Sequence, residues 1–357
     1  MSSKICVSVI VPFYNAELHI KNCLKSLLSQ DFEKSFEIIM IDDASSDKSQ
    51  EIVKKHDSSI VKLYKMKLNS GPSAARNIGL KAAQGEYIFF LDVDDTINSS
   101  TLKILYNSAK ENSFDLIFCD KQRVENSKNK RENNFIYNTD KIFDYLDITE
   151  EIKQRISIPS HTNGVVGLHG KLIKKSIISK NNLVFNEKLR FFEDEILMFD
   201  ILAHVKNMKY IRKQLYTYNI NHNIKSARSE AFNRPFPLTY FKLIKTHIQK
   251  SFLKRGLSLL ESEKLGDQAL IFWIIYTLLS YSLSIAQGKE DVKNGKKNIK
   301  KIINDLIQDY EVSKAIKNYS ISKEESSWIP RAIAWRSSWL FEFALKKRAI
   351  QILKINK

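Results

Sequence analysis

The segment Tyr87-Ile88-Phe89-Phe90-Leu91-Asp92-Val93-Asp94-Asp95 decides the fold, because a short apolar run ends abruptly at three carboxylates. A continuous run of aromatic and β-branched residues predicts a strand buried on both faces, as in a parallel sheet. Such sheets hold their ligands at the carboxyl-terminal edge. Like charges crowded there raise one another's pKa unless a cation lies among them, so the pattern predicts a Mg²⁺ or Mn²⁺ site. The alternative is an acidic turn capping the next helix, with Asn98, Ser99 or Ser100 as N-cap.

Composition narrows the class of partner. The chain of 357 residues carries a net charge of +17, from 57 basic and 40 acidic residues. This excess predicts an anionic partner, which could be a nucleic acid, a membrane surface or a phosphorylated substrate. The cysteines Cys6, Cys23 and Cys119 lie in apolar segments without metal-ligand spacing, which favours a reducing compartment. Because residues 1–4 lead into a strand without a signal-peptide pattern, we expect a cytoplasmic protein.

Strands and helices alternate along about the first ninety residues. The predicted strands cover residues 7–11, 37–41, 60–64 and 87–91, and the predicted helices cover residues 17–29, 48–55 and 73–83. This alternation is typical of an α/β fold with a doubly wound sheet. The glycine-rich phosphate loops of dinucleotide-binding and P-loop proteins are both absent from the sequence, so phosphate neutralisation is expected to depend on a metal.

The later part of the chain changes character. Residues 120–140 are polar and predict a surface excursion, residues 157–170 predict a mobile loop, and residues 216–218 predict a short strand. Beyond Pro235 and Pro237 the pattern predicts only helices, so we place an α/β domain at residues 1–230 and an α-helical domain at residues 231–357.

Two segments of the helical domain raise the question of a membrane. Residues 270–286 are apolar and uncharged but marginal against the ~20 residues that a span needs, so we favour a buried helix. Residues 328–354 interleave tryptophan and phenylalanine with lysine and arginine. That composition predicts an interfacial helix on an anionic membrane, and a core-packing helix explains the same spacing.

Four blocks of the sequence together resemble the family-2 glycosyltransferases of the GT-A fold. They are residues 7–15 (VSVIVPFYN), residues 37–47 (EIIMIDDASSD), residues 71–95 (GPSAARNIGLKAAQGEYIFFLDVDD) and the pair Glu193-Asp194 ahead of a helix. Their order and spacing are similar to the family's over about the first 220 residues. The resemblance implies a GT-A (nucleotide-diphospho-sugar transferase) domain followed by an α-helical domain that no motif covers.

The resemblance also implies where a nucleotide-sugar donor would bind. Asp92-Val93-Asp94 matches the D-x-D motif, so Asp92 would lie near the ribose and Asp94 would ligate the Mn²⁺ or Mg²⁺ that bridges the diphosphate. Asp95 would assist the metal or cap a helix, and His222 lies where several relatives supply a further ligand. The remaining donor-side residues are Pro12, Tyr14, Asp43, which would accept from a uracil N–H, and Arg76, with Asn15 as a secondary residue.

The acidic pair near residue 194 is similar to the family's E-D pair. The resemblance implies that Asp194 is the catalytic base and that Glu193 is its secondary partner. Acidic residues favourably placed at a helix N-terminus are the alternative for this pair. A solvated helix residue is the alternative for Arg76, and an exposed loop histidine is the alternative for His222. His169 departs from the family, since many members have an aromatic residue there.

The function implied is that of an inverting, Mn²⁺- or Mg²⁺-dependent hexosyltransferase. It would move a hexose or N-acetylhexosamine from a UDP-sugar to a hydroxyl of a glycan or lipid-linked glycan, in bacterial surface polysaccharide, capsule or lipooligosaccharide synthesis. The segment 328–354 predicts peripheral contact at the inner face of the cell membrane. No nucleic acid partner is expected. A sugar-phosphate nucleotidyltransferase and a nucleic-acid-binding protein are the alternatives. The first should carry a glycine-rich loop after strand one, and the second should place basic residues at the cleft.

Overall fold

The computed structural model describes residues 4–56, 59–125, 135–157, 164–189, 192–220, 238–287, 292–321 and 328–355. The chain divides into two compact units. The first consists of Met1–Thr149 and Asn163–Arg228, and the second of Glu150–Thr162 and Ser229–Lys357. A boundary at residue 230 places residues 150–162 in the first domain, whereas the structure groups them with the second unit.

A mixed sheet organises the first unit, with nine strands among the described residues. In chain order they are β1 Val7–Phe13, β2 Phe36–Asp42, β3 Val61–Lys65, β4 Tyr87–Phe90, β5 Thr96–Ile97, β6 Leu116–Glu125, β7 Lys141–Phe143, β8 Lys171–Lys174 and β9 Met208–Ile220. The order across the sheet is β3-β2-β1-β4-β8-β6-β9-β5, and β7 also pairs with β9.

Strands β1 to β4 form a parallel half-sheet, as their continuous apolar sequences predict. All seven residues of β1 and all four of β4 are buried. The predicted ends of these strands differ from the observed ones by at most two residues. The helices of this unit are α1 Ile20–Leu28, α2 Ser49–Lys54, α3 Pro72–Ala82, α4 Thr101–Glu111, α6 Lys175–Lys180 and α7 Glu193–Leu202. The α/β prediction is confirmed.

The other half of the sheet is longer than the sequence suggested. Strand β6 continues through residues 120–125, where we expected a polar excursion, and β9 covers thirteen residues where we expected a strand at 216–218. The two strands pair in parallel with register shifts between Cys119 and Lys121. Between them, the Tyr210 hydroxyl donates to the buried Asp120 carboxylate. The polar residues of β6 are therefore part of the sheet.

A buried carboxylate holds the turn before β4 against the start of the sheet. Glu37 Oε1 accepts from Ser8 Oγ at 2.6 Å and from Gln84 N at 2.7 Å, and Lys62 Nζ donates to Oε2 at 2.7 Å. Gly85 N donates to Ser8 Oγ, and a Cβ at Gly85 would lie 2.5 Å from Ser8 N. Only glycine allows the chain to approach β1 this closely.

The described part of the second unit is mainly helical. Its helices are most of α5 Tyr145–Ser157, then α8 Leu238–Lys254, α9 Leu259–Ala286, α10 Val292–Gln308, α11 Tyr310–Ala315, α12 Trp328–Ala334 and α13 Ser338–Ile355. Helix α9 is long and apolar enough to cross a membrane by length and composition alone. However, 61% of its most apolar window is buried inside the structure, as in the core helix of a soluble protein. Its buried Asp267 pairs with Lys245 of α8 at 2.7 Å.

Candidate active site

The carboxyl ends of three parallel strands meet at one edge of the sheet. Phe13 at the end of β1 is in register with Asp42 at the end of β2, and Leu91 N donates to Ile10 O just after β4. Because parallel strands point the same way, the polar residues after each strand are brought together. This edge therefore carries the loops that begin at Tyr14, Asp43 and Asp92.

Arg76 joins two sequence-distant acidic segments. From α3, its Nη2 lies 2.8 Å from Asp92 Oδ1 and its Nη1 lies 3.2 Å from Glu193 Oε1. Burial opposes the charge on Asp92, but Arg76 and then His169 outweigh it and hold the pKa of Asp92 well below its ordinary value. Burial and the neighbouring Asp194 raise the pKa of Glu193, against the pull of Arg76. The guanidinium thus brings the D-x-D segment and the E-D pair to a single site.

Asp95 is fully buried and its carboxylate is held on both sides. Tyr216 Oη donates to Oδ2 at 2.5 Å, and Asn219 N donates to Oδ1 at 2.9 Å. Burial, together with Asp94 and Asp92, raises the pKa of Asp95 to about 7. The expectation that Asp95 caps a helix is wrong, because its carboxylate accepts its hydrogen bonds from strand β9.

Asp94 differs from its neighbours because its side chain is exposed. Its backbone oxygen accepts from Asn219 Nδ2 at 2.8 Å, while its carboxylate makes no hydrogen bond or ion pair with any other described residue. Partial burial of the carboxyl group and the nearby Asp92 carboxylate raise the pKa of Asp94. Of the three aspartates, Asp94 is the one whose oxygens are open to a ligand.

His169 lies beside the aspartates, and the sequence did not predict this position for it. Its Nε2 lies 3.2 Å from Asp92 Oδ2, and ligand atoms of His169, Asp92 and Asp95 lie within 4.8 Å of one another. The ring packs edge-on against Tyr216 and Tyr218, with centroids 5.4 and 5.8 Å away. The signal available in the sequence was the imidazole in place of the family's aromatic residue. His222, the ligand we expected, lies outside the described residues.

Asp194 lies in the first turn of α7, which begins after Phe192 in a left-handed conformation. A carboxylate there is stabilised by the partial positive charge of the helix N-terminus. The loop before β8 passes close by, since a Cβ built on Gly167 would lie 4.0 Å from Asp194 Oδ2. Its carboxylate is half-buried and makes no hydrogen bond or ion pair within the described part of the chain. Its oxygens are thus open to a ligand.

Two of the residues expected on the donor side, Asp43 and Asn15, accept hydrogen bonds from the backbone of neighbouring loops. Asp43 Oδ1 accepts from Ser70 N and Oδ2 from Gly71 N, both at 2.7 Å, so the carboxylate already holds the turn before α3. Asn15 Oδ1 accepts from Ser46 N at 2.9 Å. Asp42 Oδ1 accepts from Ser45 N at 2.9 Å, which holds the loop after β2.

Three further donor-side predictions differ in exposure. Tyr14 is 48% exposed, Pro12 is buried within β1 and Val93 packs against the core. Of these, Tyr14 presents the most surface to a ligand. Arg76, expected to face the donor, is buried between two carboxylates, so its direct contact with a donor stays a prediction.

Comparisons with known proteins identify this fold as that of a glycosyltransferase. Residues 8–170 match the family described as Glycosyl transferase family 2. The chain is 31% identical over 252 residues to the poly(ribitol-phosphate) β-N-acetylglucosaminyltransferase TarP of Staphylococcus aureus, covering 70% of this chain and 72% of that protein. The chain belongs to glycosyltransferase family 2. This assigns it to the glycosyltransferases, in place of the nucleotidyltransferase and nucleic-acid-binding alternatives.

Two other relatives extend the comparison. The uncharacterized glycosyltransferase EpsJ of Bacillus subtilis is 30% identical over 220 residues, covering 61% of this chain and 62% of that protein. The structure of S. aureus TarS residues 1–349 with UDP-GlcNAc has a TM-score of 0.70 at 21% identity, covering 97% of this chain and 92% of that one. The likeness to TarS shows the GT-A fold with a helical C-terminal region. The chain spans less than two thirds of the length of EpsJ and 35% of full-length TarS.

Proposed function

We propose that the chain is an inverting, metal-dependent hexosyltransferase that moves a hexose or N-acetylhexosamine from a UDP-sugar to a hydroxyl of a glycan acceptor. The observation that carries this proposal is the Arg76 bridge between Asp92 and Glu193. It brings the D-x-D segment next to Asp194, so groups suited to the donor diphosphate and to the acceptor hydroxyl share one site.

Asp194 is the general base in this proposal. The acceptor oxygen forms a bond to the anomeric carbon as the bond from that carbon to the diphosphate oxygen breaks. The electron pair leaves with the UDP, and the acceptor proton passes to the Asp194 carboxylate. A positioned base typically contributes ~10²- to 10⁴-fold to the rate. Because one displacement takes place on the face opposite the leaving group, the anomeric configuration inverts.

The cluster around Asp92 fits a divalent cation. Ligand atoms of Asp92, Asp95 and His169 lie within 4.8 Å of one another, and the neighbouring Asp94 adds an exposed carboxylate. Carboxylates are the ligands that Mg²⁺ and Mn²⁺ prefer, with imidazole compatible with a transition metal. Asp95 contributes less, since both its oxygens are already held. When bound, the ion would supply Lewis-acid stabilisation of charge on the leaving diphosphate.

Relatives support the donor and acceptor classes. TarP and TarS are named as enzymes that transfer N-acetylglucosamine to poly(ribitol phosphate), and a TarS structure holds UDP-GlcNAc. We infer a UDP-sugar donor for this chain and a surface-glycan acceptor, whether a teichoic acid, another surface polysaccharide, a capsule or a lipooligosaccharide. A nucleotide-sugar donor is cytoplasmic, so we expect the enzyme to act there on a free or lipid-linked glycan.

The outer face of α13 supports peripheral membrane contact. Phe341, Ala344, Leu345 and Ala349 are buried on one face of this helix. The opposite face exposes large apolar side chains, with Trp339 73% exposed and stacked on Phe343. The other exposed members of this face are Ile350, Lys346 and Lys347, and the exposed Trp335 lies just before the helix.

Aromatic and basic side chains on one face suit the interface of an anionic bilayer. Flotation with vesicles containing phosphatidylglycerol tests this contact. The wild type should float, and Trp339→Ser with Phe343→Ser should remain at the bottom. Equal flotation of the two proteins would remove α13 from the proposal.

A donor screen tests the function itself. UDP-, GDP- and CMP-sugars are incubated with the full chain, with Mn²⁺, with Mg²⁺ or with chelator, and nucleotide release is measured. We expect release from a UDP-sugar that requires the metal. Release from the GDP- or CMP-sugars alone would overturn the donor class, and undiminished release in chelator would overturn the metal dependence.

A further inference from the structure

Beyond the register shift at residues 119–121, strand β6 carries two cations beside the site. Lys121 is in register with Tyr216, and Arg123 with Tyr218. Residues two apart on a strand lie on the same face, about 7 Å apart. Both cationic side chains are exposed. Lys121 lies near the ring of Tyr218 on neighbouring β9, and Arg123 is in register with that residue.

Neither cation is neutralised by the described residues. The Lys121 ammonium lies 5.7 Å from the centre of the Tyr218 ring and makes no ion pair within the described part of the chain. The same is true of the Arg123 guanidinium. Some other lysines of this unit are paired, such as Lys62 with Glu37 and Lys209 with Glu111. An unpaired lysine and arginine together are suited to an anionic ligand.

Contacts through aromatic rings connect these cations to the site. The Tyr218 ring is 5.8 Å from the His169 ring, and His169 contacts Asp92. Loss of solvent and Arg123 lower the pKa of Lys121, and the carboxylate of Asp194 is the first of the groups that oppose this shift. The loop that carries His169 also passes Asp194, since a Cβ built on Gly167 would lie 4.0 Å from Asp194 Oδ2. Lys121 therefore lies on the side of the site that also carries the proposed base.

We propose that Lys121 and Arg123, bordering Tyr218, form a subsite for a phosphate group of the acceptor. The inference rests on the proposed function, because it places the acceptor hydroxyl at Asp194. Arginine binds a phosphate through two parallel hydrogen bonds, and lysine adds a point charge. The donor diphosphate is the other group that could supply a phosphate. The proposed function places that diphosphate near Asp94, whereas these cations lie on the side of Asp194.

Direct binding tests this subsite without turnover. The probes are a synthetic ribitol phosphate oligomer and the phosphate-free ribitol, each titrated calorimetrically into the UDP-saturated full chain. The variants are Lys121→Met, Arg123→Met and the double variant. Lys81→Met, which removes an exposed charge at the end of α3, is the matched control. Melting temperatures establish that each variant is folded.

We expect the wild type and Lys81→Met to bind the phosphate oligomer but not ribitol. Each site variant should bind it about tenfold more weakly, equivalent to about 1.4 kcal/mol, with unchanged UDP affinity. Unaltered oligomer binding in the double variant would overturn the subsite, as would a wild type that does not bind. A loss of UDP affinity instead would assign the cations to the donor. Donor hydrolysis is measured separately, so failure of the subsite is distinguishable from failure of the transferase.

Discussion

Nη1 of Arg76 lies 3.2 Å from Oε1 of Glu193, although 117 residues separate them in sequence. The same guanidinium holds Asp92 through Nη2. One buried cation therefore fixes the relative positions of α3, the loop after β4 and the start of α7. Without it, the carboxylates of Asp92, Glu193 and Asp194 would repel one another in a half-buried cleft.

Removal of this cation should damage both stability and turnover. Breaking a buried ion pair by deleting one partner typically costs about 3–5 kcal/mol, because the remaining charge is left uncompensated. We expect Arg76→Met to lower the free energy of unfolding by an amount in that range and to reduce donor hydrolysis more than tenfold. Arg76→Lys should recover part of the stability but little activity, since one ammonium cannot reach both carboxylates. Denaturant unfolding and steady-state kinetics measure these effects. The control is Arg212→Met, at an exposed position on β9, and equal losses in it would argue against a bridging role.

Asp94 should govern the metal dependence of donor binding. Calorimetric titration of UDP with and without Mn²⁺ is the measurement. In the wild type Mn²⁺ should tighten UDP binding, in Asp94→Asn this effect should disappear, and in His169→Gln it should weaken. Asp31→Asn removes an exposed carboxylate that pairs with Lys103 and should behave as wild type. If Asp94→Asn retained the full Mn²⁺ effect, the metal would have to be held elsewhere.

The hydroxyl of Tyr216 should matter more than an ordinary buried tyrosine hydroxyl. Its loss in Tyr216→Phe leaves the buried Asp95 carboxylate without one hydrogen bond, at a cost of about 1–3 kcal/mol. Because Asp95 lies in the cluster with Asp92 and His169, the Mn²⁺ concentration for half-maximal activity should also rise. Tyr87→Phe removes a hydroxyl bonded to Phe114 O and should change stability only. A shift in metal requirement of equal size in both variants would contradict this role for Tyr216.

Glu37 should make the stability of the first unit depend on pH. Burial opposes its ionisation, but bonds from Lys62, Ser8 and Gln84 outweigh it and lower its pKa below the ordinary 4.5. A carboxyl with a lowered folded-state pKa contributes stability above its unfolded pKa, and that contribution is lost as the pH falls through the folded-state value. We expect Glu37→Gln to lower the free energy of unfolding by roughly 1–3 kcal/mol at pH 7.

The difference in the free energy of unfolding between the wild type and Glu37→Gln should shrink below pH 4.5. Urea unfolding across this pH range measures it, with Glu33→Gln at an exposed position as the control. A difference that stays constant with pH would mean that Glu37 acts through packing rather than charge.

The parallel half of the sheet could be predicted because its signal is local. Strands β1, β2 and β4 are continuous apolar runs, and each is followed by residues that belong to the site. The aspartates after β4 and the pair at Glu193 could be assigned from short motifs for the same reason. Their convergence was expected only by resemblance, and the Arg76 bridge gives it a physical basis.

The other half of the sheet could not be predicted because its signals depend on tertiary contacts. The sequence of β6 after Cys119 is polar, and its backbone groups are satisfied only by pairing with distant β9. His169 looks like an ordinary loop residue until the start of β8 brings it to Asp92. The burial of Asp95 depends in the same way on Tyr216, 121 residues later.

The central claim is that Asp194 is the base at a site shared with the D-x-D aspartates, and Asp194→Asn tests it most directly. The measurement pairs the UDP-sugar dissociation constant with the rate of metal-dependent transfer or hydrolysis, using Asp200→Asn on the same helix as the control. The account predicts unchanged donor affinity and a rate lower by ~10²- to 10⁴-fold in Asp194→Asn, with Asp200→Asn close to wild type. A wild-type rate in Asp194→Asn would contradict it.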